Sequence, residues 1–205
     1  MPLTVHIRAD AAPRVGTGHV MRCLALARWA LNEGADVFFS GRVNVPWVKE
    51  RLEREGIPFM PVPGDIPGQE NPQSLQPVLD TISKGDWFVF DGYHFGPDCQ
   101  KAARAAGALL LVIDDYAHLP EYHCDILLNQ NLGAEKLLYA GDIGRTLLGP
   151  RYALLRPEFL NARRAAESRP VRHDSRNILL TLGGGNYIDC CAACKNDPPE
   201  RVMCT

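Results

Sequence analysis

Short apolar runs and stretches with helical period alternate from the first residues onward. Residues 3–9 are rich in β-branched and apolar side chains and read as a buried strand. After a glycine-rich turn, residues 20–33 set Met21, Leu24, Leu26, Ala27 and Leu31 along one side of a helix, which Gly34 ends. The alternation continues through a strand at 35–40, a helix at 46–55, a strand at 59–62, a Pro/Gly-rich loop and a helix at 74–83. A strand at 87–90, a helix at 97–106 and strongly apolar strands at 108–113 and 126–128 follow, before less regular sequence. Strands alternating with helices of this length predict an α/β fold, a Rossmann-like parallel sheet with helices on both faces.

That unit is expected to occupy residues 1–167. The polar segment 168–176 reads as a linker, and 177–185 as the opening strand of a second α/β domain ending in three glycines. The twenty residues 186–205 are too few for a core of their own and are expected to form a tail without ordered structure. The composition, 46% apolar and 22% charged, is that of an ordinary globular protein. A net charge of −2 gives no basic field, so nucleic acid is not an expected partner. Neither a bilayer-length apolar run nor the layout of a signal peptide is visible, which excludes a membrane role and predicts a cytoplasmic protein. Seven cysteines, four of them crowded at Cys190, Cys191, Cys194 and Cys204, form neither a disulfide framework nor paired zinc-ligand spacing, and no metal is expected.

In a parallel sheet, ligands bind beyond the carboxyl ends of the strands. Asp10, Asp91, Asp114, Asp115, Asn129 and Asn131 follow four of the predicted strands and should meet at one edge. Helix caps and turns account for many such residues, so each has a structural alternative. Gly16 and Gly18, in Val15-Gly16-Thr17-Gly18-His19, allow a tight turn between the first strand and helix. Met21 stands where a dinucleotide fingerprint would place its third glycine, which argues against nicotinamide cofactors. His19 falls in the first helical turn, where the positive end of the helix dipole favours an uncharged imidazole able to take a proton from water. A hydrogen bond to Asp10 or Asp91 is its structural alternative. Arg8 and Arg22 flank the loop and could pair with the strand-end carboxylates or meet a diphosphate. Tyr93 is placed either to hydrogen-bond a sugar or to cover the core.

Several motifs in order carry a resemblance: Ile7-Arg8-Ala9-Asp10, Gly16 through Leu24, Asp91-Gly92-Tyr93, Ile113-Asp114-Asp115, residues 123–131, residues 149–159 and Thr181-Leu182-Gly183-Gly184. Together they resemble the UDP-sugar hydrolases of bacterial pseudaminic acid biosynthesis, a family related to spore-coat polysaccharide proteins. The resemblance implies the first half of a glycosyltransferase-B-like two-domain fold, with a UDP-sugar as substrate and no metal or organic cofactor. Water would attack and invert the anomeric carbon, releasing free sugar and UDP. His19 would be the base and Tyr93 part of the sugar site. Asp10 would orient substrate or histidine, with Gly16, Gly18, Arg22, Asp91, Asp114, Asn129 and Asn131 around the substrate and Gly183 and Gly184 towards the nucleotide. After Gly184 this chain continues Gly185-Asn186 where the family has a Ser/Thr-Asp pair. The end therefore reads as truncated or frame-shifted, and turnover is expected to be impaired through loss of remote binding contacts. A glycosyltransferase that needs an acceptor and a non-catalytic binding domain are the competing readings.

Overall fold

The computed structural model describes residues 3–13, 15–167, 178–180 and 202–204. Seven strands form one open sheet: β1 (Thr4–Ala9), β2 (Asp36–Gly41), β3 (Phe59–Pro61), β4 (Trp87–Asp91), β5 (Leu109–Ile113), β6 (Tyr122–Asn129) and β7 (Gly141–Leu148). Every pairing is parallel, in the spatial order β3-β2-β1-β4-β5-β6-β7. The chain starts in the interior of the sheet, builds outward through β2 and β3, then returns to the other side of β1. That reversal leaves a crevice beyond the carboxyl ends of β1 and β4.

Two helices, α1 (Gly18–Asn32) and α2 (Pro46–Arg54), cover one face. α1 buries Val20, Cys23, Leu24, Ala27 and Ala30, and α2 buries Val48 and Leu52, against Val5, Ile7, Val37, Phe39 and Val89. The short α3 (Gln76–Leu79) and α4 (Pro97–Ala105) pack on the opposite face, over Phe88, Phe90, Leu110 and Val112. Fully burying a side chain of this size contributes about 1.5–3 kcal/mol, so the two apolar layers fix where the strand ends lie.

The helix expected over 74–83 shrinks to α3, preceded by a 3-10 turn at Pro72–Leu75. Thr81 Oγ1 donates to the carbonyl of Val78 at 2.7 Å, drawing the chain out of the helical ladder. β6 starts four residues before the expected strand. Neither β7 nor the helix α5 (Pro157–Glu167), which buries no side chain, falls where the sequence pattern placed an element. Past the expected linker, which lies outside the described residues, β8 (Ile178–Leu180) pairs in parallel with β9 (Val202–Cys204). The expected structureless tail thus contains one strand, and its other residues lie outside the described ones. Among the described residues, no helix is long and apolar enough to cross a membrane.

Candidate active site

Register decides which polar residues meet. Ala9 pairs with Asp91, Asp91 with Ile113, and Ile113 with Leu128, so four neighbouring strands end at one level. Asp10, Asp114 and Asn129 follow at that edge beside Asp91. The β1–α1 turn is closed by the Gly16 amide, which donates to the Ala12 carbonyl at 2.8 Å. Gly16 has φ +82°, a conformation that favours glycine. α1 then begins at Gly18 and carries His19 into its first turn, facing β4.

His19 Nδ1 lies 2.6 Å from Asp91 Oδ1, and Asp91 is fully buried. A carboxylate only accepts, so Nδ1 carries the proton that faces Asp91, and in the neutral ring the lone pair lies on Nε2. One turn further along α1, Arg22 grips both oxygens of Asp91, with Nε at 2.6 Å and Nη2 at 2.7 Å. The same guanidinium reaches Asp115 at 2.6 and 3.0 Å. Its Nη2 also stands 3.3 Å from His19 Nδ1. Both of those atoms are donors once Asp91 has fixed the tautomer, and the shared carboxylate holds them together. Tyr93 donates its hydroxyl to Asp115 Oδ2 at 2.7 Å, and its ring stands edge-on to His19 with centroids 4.9 Å apart. Asn131 Nδ2 donates to Asp115 Oδ1 at 2.8 Å.

Burial alone would raise the pKa of Asp115, but the hydrogen bond and charge of Arg22, with Tyr93 and Asn131, bring it down to about 2. Asp91 is shifted in the same direction: Arg22 and His19 outweigh a desolvation that would raise it. Burial and then Asp115 push the Tyr93 phenol up, so it stays a donor.

A second cluster lies under the same edge. Asp10 accepts from Arg8 Nη1 and, at 2.7 Å, from the Arg42 amide. Glu70 accepts from Arg8 Nη2 at 3.3 Å and from both terminal nitrogens of Arg42. His94 Nε2 stands 2.9 Å from Asp10 Oδ2, close enough for an ion pair but without hydrogen-bond alignment. Asp10, Glu70 and His94 place ligand-type atoms within 4.8 Å of one another, the spacing of a metal site. Two buried guanidiniums already balance the two carboxylates, and a divalent cation would add uncompensated positive charge. The composition is that of an ion-pair network.

A cavity of about 160 Å³ opens between these clusters, lined by Asp10, Val15, His19, Asp91, Tyr93 and His94, with residues 66–68 on its rim. A larger cavity of about 540 Å³ lies elsewhere, against His6, Phe38, Met60 and Asp86. The smaller one is the better candidate because it sits at the reversal point of the strand order and gathers the polar residues. Asp10 reaches it but pairs with Arg8, the Arg42 amide and His94, while Asp91 takes the orienting position beside His19. Arg22 is engaged by two carboxylates rather than left for a diphosphate. Asn131 joins through Asp115. Asp114 and Asn129 are fully buried beneath the edge: Asp114 accepts from Tyr122, Tyr139, His118 and the Ala117 amide, and Asn129 donates to Tyr139. Gly16 and Gly18 shape the loop without lining the cavity, and Gly183 and Gly184 lie outside the described residues. His94, Glu70 and Arg42 were not among the expected site residues. His94 directly follows Tyr93 after a strand end, a signal that could have found it, whereas Glu70 sits in a Pro/Gly-rich loop with no comparable marker.

An open parallel α/β sheet with a histidine–carboxylate pair at its strand-order reversal defines a Rossmann-like class of protein. No family model matches the chain. Over 188 residues it is 28% identical to the UDP-2,4-diacetamido-2,4,6-trideoxy-beta-L-altropyranose hydrolase of Campylobacter jejuni, a match covering 89% of this chain and 61% of that protein. Over 192 residues it is 24% identical to an uncharacterised protein of Methanocaldococcus jannaschii, covering 90% of this chain and 37% of the relative. The chain thus spans less than two thirds of the length of these curated relatives.

Proposed function

We propose that this chain carries the sugar-side half of a nucleotide-sugar hydrolase, acting on a UDP-sugar in nonulosonic acid biosynthesis in the cytoplasm and built on a glycosyltransferase-B-like plan. The observation that carries this reading is the tether between His19 Nδ1 and Asp91, which leaves Nε2 as an acceptor in a cavity shared with Tyr93. The named activity of the Campylobacter relative supports the choice of substrate.

In the proposed step, His19 Nε2 takes a proton from water as the water oxygen bonds to the anomeric carbon. The bond from that carbon to the diphosphate oxygen breaks, and UDP leaves with the electron pair. The anomeric configuration inverts, and the imidazolium returns its proton to solvent. Asp91 stabilises the transient charge on the ring while Arg22 holds the carboxylate in place. Tyr93 faces the sugar, and Asp10 and His94 line the far wall.

Incubation with the UDP-sugar in ¹⁸O-labelled water tests this. The expected products are UDP without label and free sugar labelled at the anomeric oxygen, formed without any acceptor. His19→Ala should lower turnover by about 10²–10⁴-fold, the usual contribution of a general base. Label in UDP, an absolute need for an acceptor, or unchanged turnover in the folded H19A variant would each overturn the proposal.

A further inference from the structure

We infer that His118 is a doubly protonated imidazolium that clamps the loop after β5 onto the backbone of Tyr93, making it a positioning residue for the sugar-facing ring. Its two ring nitrogens carry the argument. Nδ1 lies 2.7 Å from Asp114 Oδ1, and Nε2 lies 3.0 Å from the carbonyl oxygen of Tyr93. A carboxylate and a peptide carbonyl are both acceptors only. A neutral imidazole would leave one nitrogen lone pair facing an oxygen lone pair, whichever tautomer it took. Only the cation satisfies both contacts.

The surroundings are built to keep that charge. Asp114 is fully buried, and Asp115, itself paired with Arg22, adds a second negative charge from the same loop. The remaining titratable neighbours, Tyr93, Tyr116 and Tyr122, present rings to the imidazole at centroid distances of 5.3, 5.2 and 6.4 Å. Burial by itself would lower the pKa of His118, yet Asp114, the Tyr93 carbonyl and Asp115 together raise it above the ordinary value. The backbone bends to make the clamp. Ala117, with φ +56°, is the one non-glycine among the described residues in the left-handed region, and its amide donates to Asp114 Oδ2 at 2.6 Å. A non-glycine residue held there is strained and persists where its surroundings over-determine it.

As a positioning role at the sugar site the inference rests on the proposed function, but the charge state can be tested without any substrate. Long-range ¹H–¹⁵N NMR of the ¹⁵N-labelled chain, with His118 assigned by its disappearance in His118→Gln, reads protonation at each nitrogen directly. The expected result at pH 7 is two protonated nitrogens on His118, titrating above the free-histidine range. The Tyr93 ring signals should move with the same midpoint and lose that pH response in H118Q. A single-tautomer pattern at pH 7 would overturn the cation, and Tyr93 signals indifferent to the His118 titration would overturn the clamp. Should H118Q not fold, ¹³C-labelled tyrosine in the unsubstituted chain still reads whether the two midpoints coincide. If hydrolysis is observed, KM for the UDP-sugar should rise about tenfold as His118 loses its proton. The expected NMR pattern upholds the clamp whether or not this half of the hydrolase turns over by itself, and label in UDP beside that pattern would count against the proposed function alone.

Discussion

Asp91 holds three groups of the site at once: Nδ1 of His19, two nitrogens of Arg22 and, at 3.4 Å, the thiol of Cys23. All of them donate, so Asp91 must be an ionised acceptor. Asp91→Asn keeps the shape but turns an amide NH₂ towards donors and leaves the guanidinium paired with Asp115 alone. Breaking a buried ion pair from one side typically costs about 3–5 kcal/mol, and urea unfolding should show a loss of that order in D91N. Turnover should fall further than folding explains, because the tautomer of His19 is no longer set. A variant as stable as the parent would show that Arg22 is satisfied without Asp91. The sequence placed Asp91, Asp114 and Asn129 together as strand-end polar residues, and the register does bring them to one edge. It could not separate the carboxylates that line the cleft from those beneath it. Asp114 and Asp115 are neighbours in a turn, and the buried donors Tyr122, Tyr139, His118 and the Ala117 amide, all outside the sequence pattern, hold the first inward.

At the level of elements, β4 and β5 were legible as nearly continuous apolar runs, residues 87–90 and 109–113, and β1 through Val5, Ile7 and Ala9, which alternate with Thr4, His6 and Arg8. β7 was not, since it is an edge strand of largely exposed residues with two glycines, Gly141 and Gly144. Its determinant is the closeness of the neighbouring backbone rather than hydrophobicity. A Cβ at Gly144 would stand 2.7 Å from the Asp125 carbonyl oxygen of β6, nearer than real contacts allow. Gly144→Ala should therefore push β7 away from β6 and cost about 1–3 kcal/mol, the range for overpacking. Hydrogen exchange checks the location: amides of the β6–β7 ladder should lose protection while those of β1 and β4 keep theirs. Uniform loss would mean that the sheet yields as one unit. α5 escaped the sequence pattern for a related reason, as a helix with no buried side chain leaves no apolar stripe to read.

Across the whole molecule, the buried ionisable groups set how stability depends on pH. Asp10 and Asp115 are held at about 2, and Asp91, Asp114 and Glu70 are lowered too, in each case because paired donors outweigh a desolvation that would raise them. Groups whose pKa is depressed in the fold contribute fully above their unfolded values, near 4, and lose that contribution as pH falls towards 2. Two histidines act at neutral pH with opposite signs. Burial, only partly offset by Asp86, lowers the pKa of His6, so below about 6.5 the unfolded chain binds the proton more readily and stability rises with pH. His118 is raised despite its burial, through Asp114 first, so the folded chain keeps its proton above about 6.5 and stability declines as pH passes its folded value. The two windows adjoin instead of overlapping. Urea midpoints measured from pH 3 to 9 should climb steeply out of the acid range, rise gently to a maximum near pH 6.5 and fall slowly beyond it. His118→Gln should abolish the alkaline decline and weaken only the share of the acid limb that Asp114 contributes, since His118 is one of the donors that lower it. A decline that persists in H118Q would assign it to another group and separate the neutral-pH behaviour of the fold from the clamp on Tyr93.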